Sequence, residues 1–155
     1  MRHKVTVSQV TVEYDADTPI GPTLDMPAAV LEFLAGYLEA HESDSDSERF
    51  GYLALDSKHR LLSVKVHSIG TKNMTPVDGA RLWRDALMLD ADGLILFHTH
   101  PTGDRQPSRD DCDLTRRMVR GGALLGVSVL DHIIMTGPRE GVSLRQLRAD
   151  LFTAA

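Results

Sequence analysis

The sequence carries a single cysteine, Cys112, in 155 residues. One cysteine excludes an intrachain disulfide framework and any zinc site built on several thiolates, so imidazoles and carboxylates would have to hold a metal here. Long apolar runs are missing as well. No stretch approaches the roughly 20 residues that a membrane-spanning helix needs. After Met1-Arg2-His3-Lys4 the chain alternates polar and apolar residues where a secretory leader would be continuously apolar, so the expected compartment is the cytoplasm. An excess of basic charge is also lacking: the formal net charge is −5. That balance argues against direct nucleic-acid binding, which leaves a basic footprint. Arg116, Arg117 and Arg120 form one small basic cluster, which a solvated helix face accounts for. Internal repeats are absent.

What is present suits one domain over residues 1–155, with 42% apolar residues to build a core. Residues 1–41 read as an N-terminal strand and helix. The strand is Lys4 to Tyr14, rich in β-branched residues. The helix follows a loop with Pro19, Gly21 and Pro22, has Asp25 as N-cap and Pro27 in its first turn, and carries Val30, Leu31, Leu34, Tyr37 and Leu38 at helical spacing. Residues 42–47, Glu-Ser-Asp-Ser-Asp-Ser, form an acidic linker without an apolar residue. Residues 48–155 form the main body. Phe50 to Leu55 and Arg60 to Ser68 read as a hairpin about the turn Asp56-Ser-Lys-His59. Thr75 and Pro76 open a helix carrying Val77, Ala80, Trp83, Ala86 and Leu87. Gly93 to Phe97 is short and apolar throughout, the pattern of a central strand covered on both faces. Ser108 caps a helix expected to run to about Arg120 and to stop at Gly121-Gly122. Val127 to Leu130 and His132 to Met135 form another apolar strand stretch, followed by a short strand or turn near Val142 and a terminal helix from Leu144 to Phe152. Strands alternate with helices around at least one hairpin, which predicts an α/β (α+β) fold with a mixed β-sheet flanked by helices.

His98 and His100 stand two apart at the end of the apolar strand, so both imidazoles point to one face and can converge on one ion. Pro101 cannot continue the ladder, and the chain turns away there. Asp111 lies in the first turn of the next helix. Two imidazoles and a carboxylate are a usual protein ligand set for catalytic zinc, with a fourth position left for water. Asp111 has a competing role, because Ser108-x-x-Asp111 also has the form of a capping box. Asp110 and Asp113 are rival carboxylates that spacing alone does not exclude.

The string His98-Thr-His-Pro-Thr-Gly-Asp-Arg-Gln-Pro-Ser-Arg-Asp-Asp111 resembles the JAMM motif of JAB/MPN metalloproteases: His-x-His, seven residues, Ser, two residues, Asp. Its flanks are similar to the RadC-like branch, as are Glu48-Arg-Phe-Gly-Tyr-Leu-Ala-Leu-Asp56 and Leu125-Gly-Val-Ser-Val-Leu-Asp-His-Ile-Ile134. The resemblance runs from Glu48 to Met135. It implies an MPN (JAB/cytidine-deaminase-like) fold and makes 48–155 a metal-binding core. It implies Zn2+ on His98, His100 and Asp111, with Glu48 and Ser108 as catalytic residues. Glu48 would act as general base on the zinc-bound water, and Ser108 would orient that water and stabilise the tetrahedral intermediate. The implied function is a zinc metallohydrolase of JAMM type, a peptidase or isopeptidase acting on a peptide or a ubiquitin-like protein. The alternatives are a non-catalytic MPN interaction module and an accessory protein of DNA repair or recombination.

This chain departs from the family pattern at Thr99, where RadC-like sequences usually have Asn, and at Thr102, where they usually have Ser. No helix-hairpin-helix region is recognisable, and the N-terminal strand and helix resemble those of short JAB-domain proteins. Asp131 and His132 also match the family. His132 is expected to precede an apolar strand and satisfy a buried hydrogen bond. The exposed strand edges of so small a sheet allow a homodimer.

Overall fold

The computed structural model describes residues 21–41, 47–70 and 79–154. The expected strand from Lys4 to Tyr14, most of the acidic linker and the cap formed by Thr75 and Pro76 lie outside the described residues. Among the described residues five strands form one mixed sheet: β1 (Glu48–Leu55), β2 (Leu61–Gly70), β3 (Gly93–Thr99), β4 (Ser128–Gly137) and β5 (Glu140–Ser143), in the order β2-β1-β3-β4-β5. β1 and β2 make the expected hairpin. Its turn is built by Asp56, whose Oδ1 accepts the N–H groups of Lys58 and Arg60, each at 2.9 Å.

β3 takes the centre, antiparallel to β1 and parallel to β4, while β5 returns antiparallel to β4. That place explains the composition of β3, since a strand with neighbours on both sides and helices on both faces has no solvent-facing position for a polar residue. Helix α1 (Pro27–His41) covers one face, packing Val30 and Leu34 against Leu53, Leu55, Ile95, Phe97 and Ile133. Helices α2 (Gly79–Met88) and α3 (Arg109–Leu125) cover the other, where Leu82, Leu114, Met118 and Val119 meet Tyr52, Leu94 and Leu96. α3 is the crossover between the parallel strands β3 and β4, so its N-terminus lies near the end of β3 that carries the two histidines.

Several boundaries differ from the sequence reading. Pro27 does open α1, but the Met26 carbonyl accepts the Val30 N–H at 3.2 Å, so Met26 rather than Asp25 holds the cap position. α2 buries Leu82 and Ala86, with Trp83 and Leu89 packed beside them, and leaves Ala80 and Leu87 exposed. The predicted stripe is rotated toward solvent because it passes over Leu82. α3 runs through Gly121 and Gly122 and ends at Gly126, which takes the left-handed conformation with φ 74°. The glycine pair serves packing: a Cβ on Gly122 would stand 2.2 Å from the Val127 carbonyl oxygen, and one on Gly121 would stand 3.0 Å from Trp83 Nε1. The expected strand stretch after α3 is β4, and His132 lies within it rather than before it. The terminal helix is divided into α4 (Leu144–Leu147) and a 3₁₀ turn (Ala149–Phe152). Arg148 breaks it at φ −140°, and its guanidinium pairs with Asp150 at 2.9 Å. Residues two apart on a continuous helix do not share a face.

Candidate metal centre

β3 supplies both imidazoles. His98 lies inside the strand, opposite Phe50 of β1, and is buried. His100 stands just past the strand end, held by its N–H donating to the Met135 carbonyl at 2.8 Å. The Gly103 N–H donates to the His100 carbonyl at 2.9 Å with Gly103 at φ 78°, a left-handed conformation suited to glycine. This turn carries the chain away from the sheet and toward α3.

Ser108 caps α3 as expected, and the cap is reciprocal. The Asp111 N–H donates to Ser108 Oγ at 3.0 Å, and the Ser108 N–H donates to Asp111 Oδ2 at 2.8 Å. Capping and ligation therefore do not compete for Asp111. Its Oδ2 serves the cap, while its Oδ1 faces His98 Nδ1 at 2.9 Å. His100 Nε2 lies 3.4 Å from Oδ2. The rival carboxylates Asp110 and Asp113 are exposed, whereas Asp111 is fully buried. Glu48 opens β1 two residues before Phe50, on the same face of the sheet. Its carboxylate lies 3.9 Å from His98 Nε2 and is half-buried at the edge of the cluster.

Among the described residues, His98, His100 and Asp111 form a group that could hold a metal ion, with one ligand atom from each lying within 4.8 Å of the others. Two features show that the group fits a cation. His100 Nδ1 bonds to the Asp104 carbonyl at 2.8 Å, so Nδ1 carries a proton and donates it, and Nε2 is the nitrogen that faces the Asp111 carboxylate. A metal-bound histidine commonly shows this pattern, giving its other N–H to a carbonyl. In addition, His98 Nδ1 and Asp111 Oδ1 are buried without a hydrogen-bond partner despite their proximity. Tetrahedral zinc with bonds of about 2.0–2.1 Å separates its ligand atoms by roughly 3.4 Å, so these spacings suit a small divalent ion.

The electrostatics point the same way. Burial would raise the Asp111 carboxyl, but the His100 and His98 imidazoles and the Ser108 N–H together hold it far below the usual carboxylate range. The Asp111 carboxylate raises the His100 pKa against an opposing effect of burial, with further support from the Asp104 carbonyl. The site thus keeps an ionised carboxylate against nitrogen atoms that favour a bound positive charge.

Behind Asp111 lies an arrangement that the sequence reading did not find. Thr115 Oγ1 donates to the Asp111 carbonyl at 2.7 Å and lies 2.7 Å from His132 Nδ1. Because the hydroxyl proton is already committed, His132 Nδ1–H is the donor in the second bond. His132 is wholly buried, and burial first, then the nearby His98, push its pKa down to about 3. The expected buried hydrogen bond of His132 is thus present. Asp131 points to the other face of the sheet, where it accepts from Ser143 Oγ at 2.6 Å and from the N–H of Arg145. Thr115 sits one helical turn after Asp111, and that i, i+4 spacing was the only sequence signal for its contact.

The family model described as "RadC-like JAB domain" matches residues 24–149. A UPF0758 protein of Pseudomonas putida is 43% identical over 121 residues, 78% of this chain and 51% of the relative. A UPF0758 protein of Desulforudis audaxviator is 39% identical over 124 residues, 80% of this chain and 52% of the relative. One of Methanosarcina barkeri is 43% identical over 102 residues, 66% of this chain and 44% of the relative. The chain spans about half the length of these curated relatives. With the match covering most of the chain and the His-x-His, Ser and Asp positions gathered at one end of β3, the protein belongs to the RadC-like JAB domain family.

Proposed function

We propose that this protein is a zinc-dependent hydrolase of amide bonds, a peptidase or isopeptidase acting on a peptide or on the tail of a ubiquitin-like protein. The observation that carries the reading is the joining of a complete two-histidine, one-carboxylate set to a second, half-buried carboxylate, Glu48, 3.9 Å from His98. His98, His100 and Asp111 would hold the ion. Bound zinc polarises a carbonyl and lowers the pKa of its water to about 7. Glu48 accepts the proton of the attacking water and passes it to the leaving amine nitrogen. Ser108 uses its oxygen to accept the Asp111 N–H, which leaves its hydroxyl proton to donate to the oxyanion that forms at the carbonyl. A scaffold has no need of a carboxylate at this position, so Glu48 favours an enzyme over a non-catalytic module.

The test is Glu48→Gln. It removes the base while keeping size and polarity, and Glu48 is not one of the three ligands. Elemental analysis should find about one zinc per chain in both proteins. Cleavage of a ubiquitin-like protein joined through its C-terminus to a fluorescent lysine peptide should fall by 10²-fold or more, the range of general-base catalysis. Wild-type turnover in the Gln variant would overturn the role of Glu48. A zinc-loaded wild type that cleaves neither this probe nor a peptide library would overturn the hydrolase reading.

A further inference from the structure

The β1–β3 ladder ends at Phe50↔His98. One step beyond, where Arg49 comes opposite Thr99, a side chain continues it. The Arg49 N–H donates to Thr99 Oγ1 at 2.8 Å, and the Thr99 hydroxyl donates to the Ser47 carbonyl at 3.4 Å. These two backbone groups belong to the residues on either side of Glu48. Thr99 itself lies between His98 and His100, and strand alternation sends its side chain away from the face they share. Glu48 enters β1 directly after residues 42–47, a polar and acidic stretch with no apolar residue to anchor it.

We infer that Thr99 is the positioning residue for Glu48: its hydroxyl straps the two backbone groups flanking Glu48 to the strand end that carries both histidines. The strap fixes the base and the metal ligands in one frame. Its catalytic consequence rests on the proposed hydrolase reading, while its structural consequence does not. The hydroxyl touches none of the three ligands, so its loss should move Glu48 and leave metal affinity intact. Asparagine or serine could form a similar strap, because either offers a donor and an acceptor. Valine has the same shape and offers neither.

The experiment compares zinc-loaded wild type, Thr99→Val and Thr99→Ser in the full chain. In the Val variant the Arg49 amide should exchange with solvent about tenfold faster or more as local opening becomes easier. Zinc affinity by chelator competition should stay within about threefold of wild type, since no hydrogen bond that orients a ligand is lost. On the fluorescent ubiquitin-like probe, kcat should fall about tenfold or more with KM nearly unchanged, the signature of a misplaced catalytic group. Serine should restore all of these. Unchanged Arg49 exchange in the Val variant would overturn the inference, as would a crystal structure of that variant with Glu48 still 3.9 Å from His98. A wild type that binds zinc but cleaves nothing would defeat the hydrolase reading alone, and the exchange and structural measurements would still decide the strap.

Discussion

Acid should destabilise the metal-free protein through His132, and the size of the effect follows from its surroundings. The imidazole is wholly buried on β4, its Nδ1–H is given to Thr115, and its Nε2 has no hydrogen-bond partner. Burial pushes its pKa down to about 3 from an ordinary 6.5. Between these values the unfolded chain binds a proton that the folded chain refuses, so stability falls as pH falls, beginning near 6.5 and continuing to about 3. At pH 5 the difference is about 1.5 pH units below the unfolded value, or about 2 kcal/mol. Asp111 adds little in that window, because its depressed pKa costs stability only as pH drops through the ordinary carboxylate range. His100 acts in the opposite sense: its raised pKa gives stability that is fully present below 6.5 and is lost as pH rises through the folded value. The assay is therefore a difference. Urea unfolding of wild type and His132→Asn, both with chelator, should be followed at pH 7 and pH 5. Asparagine keeps an N–H donor near Nδ1 and does not titrate, so the contribution of His100 cancels. Wild type should lose about 2 kcal/mol relative to the variant between the two pH values. A difference that stays flat within about 0.5 kcal/mol would refute the buried neutral imidazole.

Further outcomes concern the metal and the helices. His100→Ala should abolish stoichiometric zinc binding while the fold persists, since His100 is at the strand end and outside the hydrophobic clusters; elemental analysis with circular dichroism checks both. Gly122→Ala should cost about 1–3 kcal/mol or more by overpacking, because its Cβ would sit 2.2 Å from a backbone oxygen. Gly36→Ala, where nothing lies within 4 Å on an exposed position of α1, should instead stabilise by about 0.4–1 kcal/mol; thermal unfolding of the two variants should shift in opposite directions.

The contrast between these glycines also marks how far the sequence could be read. Gly93 to Phe97 was legible as a central strand because complete apolarity over so short a run suits a strand covered on both faces and little else. Two histidines at spacing two were legible as convergent because strand alternation favours one face for both, and His100, just past the strand end, keeps that direction through its N–H bond to the Met135 carbonyl. Gly121-Gly122 misled, since a glycine pair in a helical pattern is locally a stop signal. Only the approach of the Val127 carbonyl and the Trp83 ring, from other parts of the chain, gives it a packing role. Glu48 had no local signal: beside an acidic linker it looks solvated until β1 pairs with β3 and brings it to His98. Thr115 and Thr99 were hidden for a similar reason, because each acts through a partner that only the tertiary structure supplies.

Asp111 shows how a structural and a chemical role can share one residue. A carboxylate at the third position of a capping box has two oxygens, and the cap uses only one of them. Ser108 N–H engages Oδ2 and thereby fixes the rotation of the carboxylate, which directs Oδ1 toward His98. The cap is thus the means by which the carboxylate is oriented, and the Thr115 hydroxyl holds the same residue from its carbonyl. Ionisation follows from the same contacts, for a buried carboxylate stays charged only where donors and positive charge offset its lost hydration. A helix N-terminus adds a favourable field for that charge. The Ser-x-x-Asp spacing in the motif therefore serves helix geometry as well as the proposed metal ligation. An acid moved by one residue to position 110 would lose the reciprocal bond with Ser108 and face solvent, as Asp110 does.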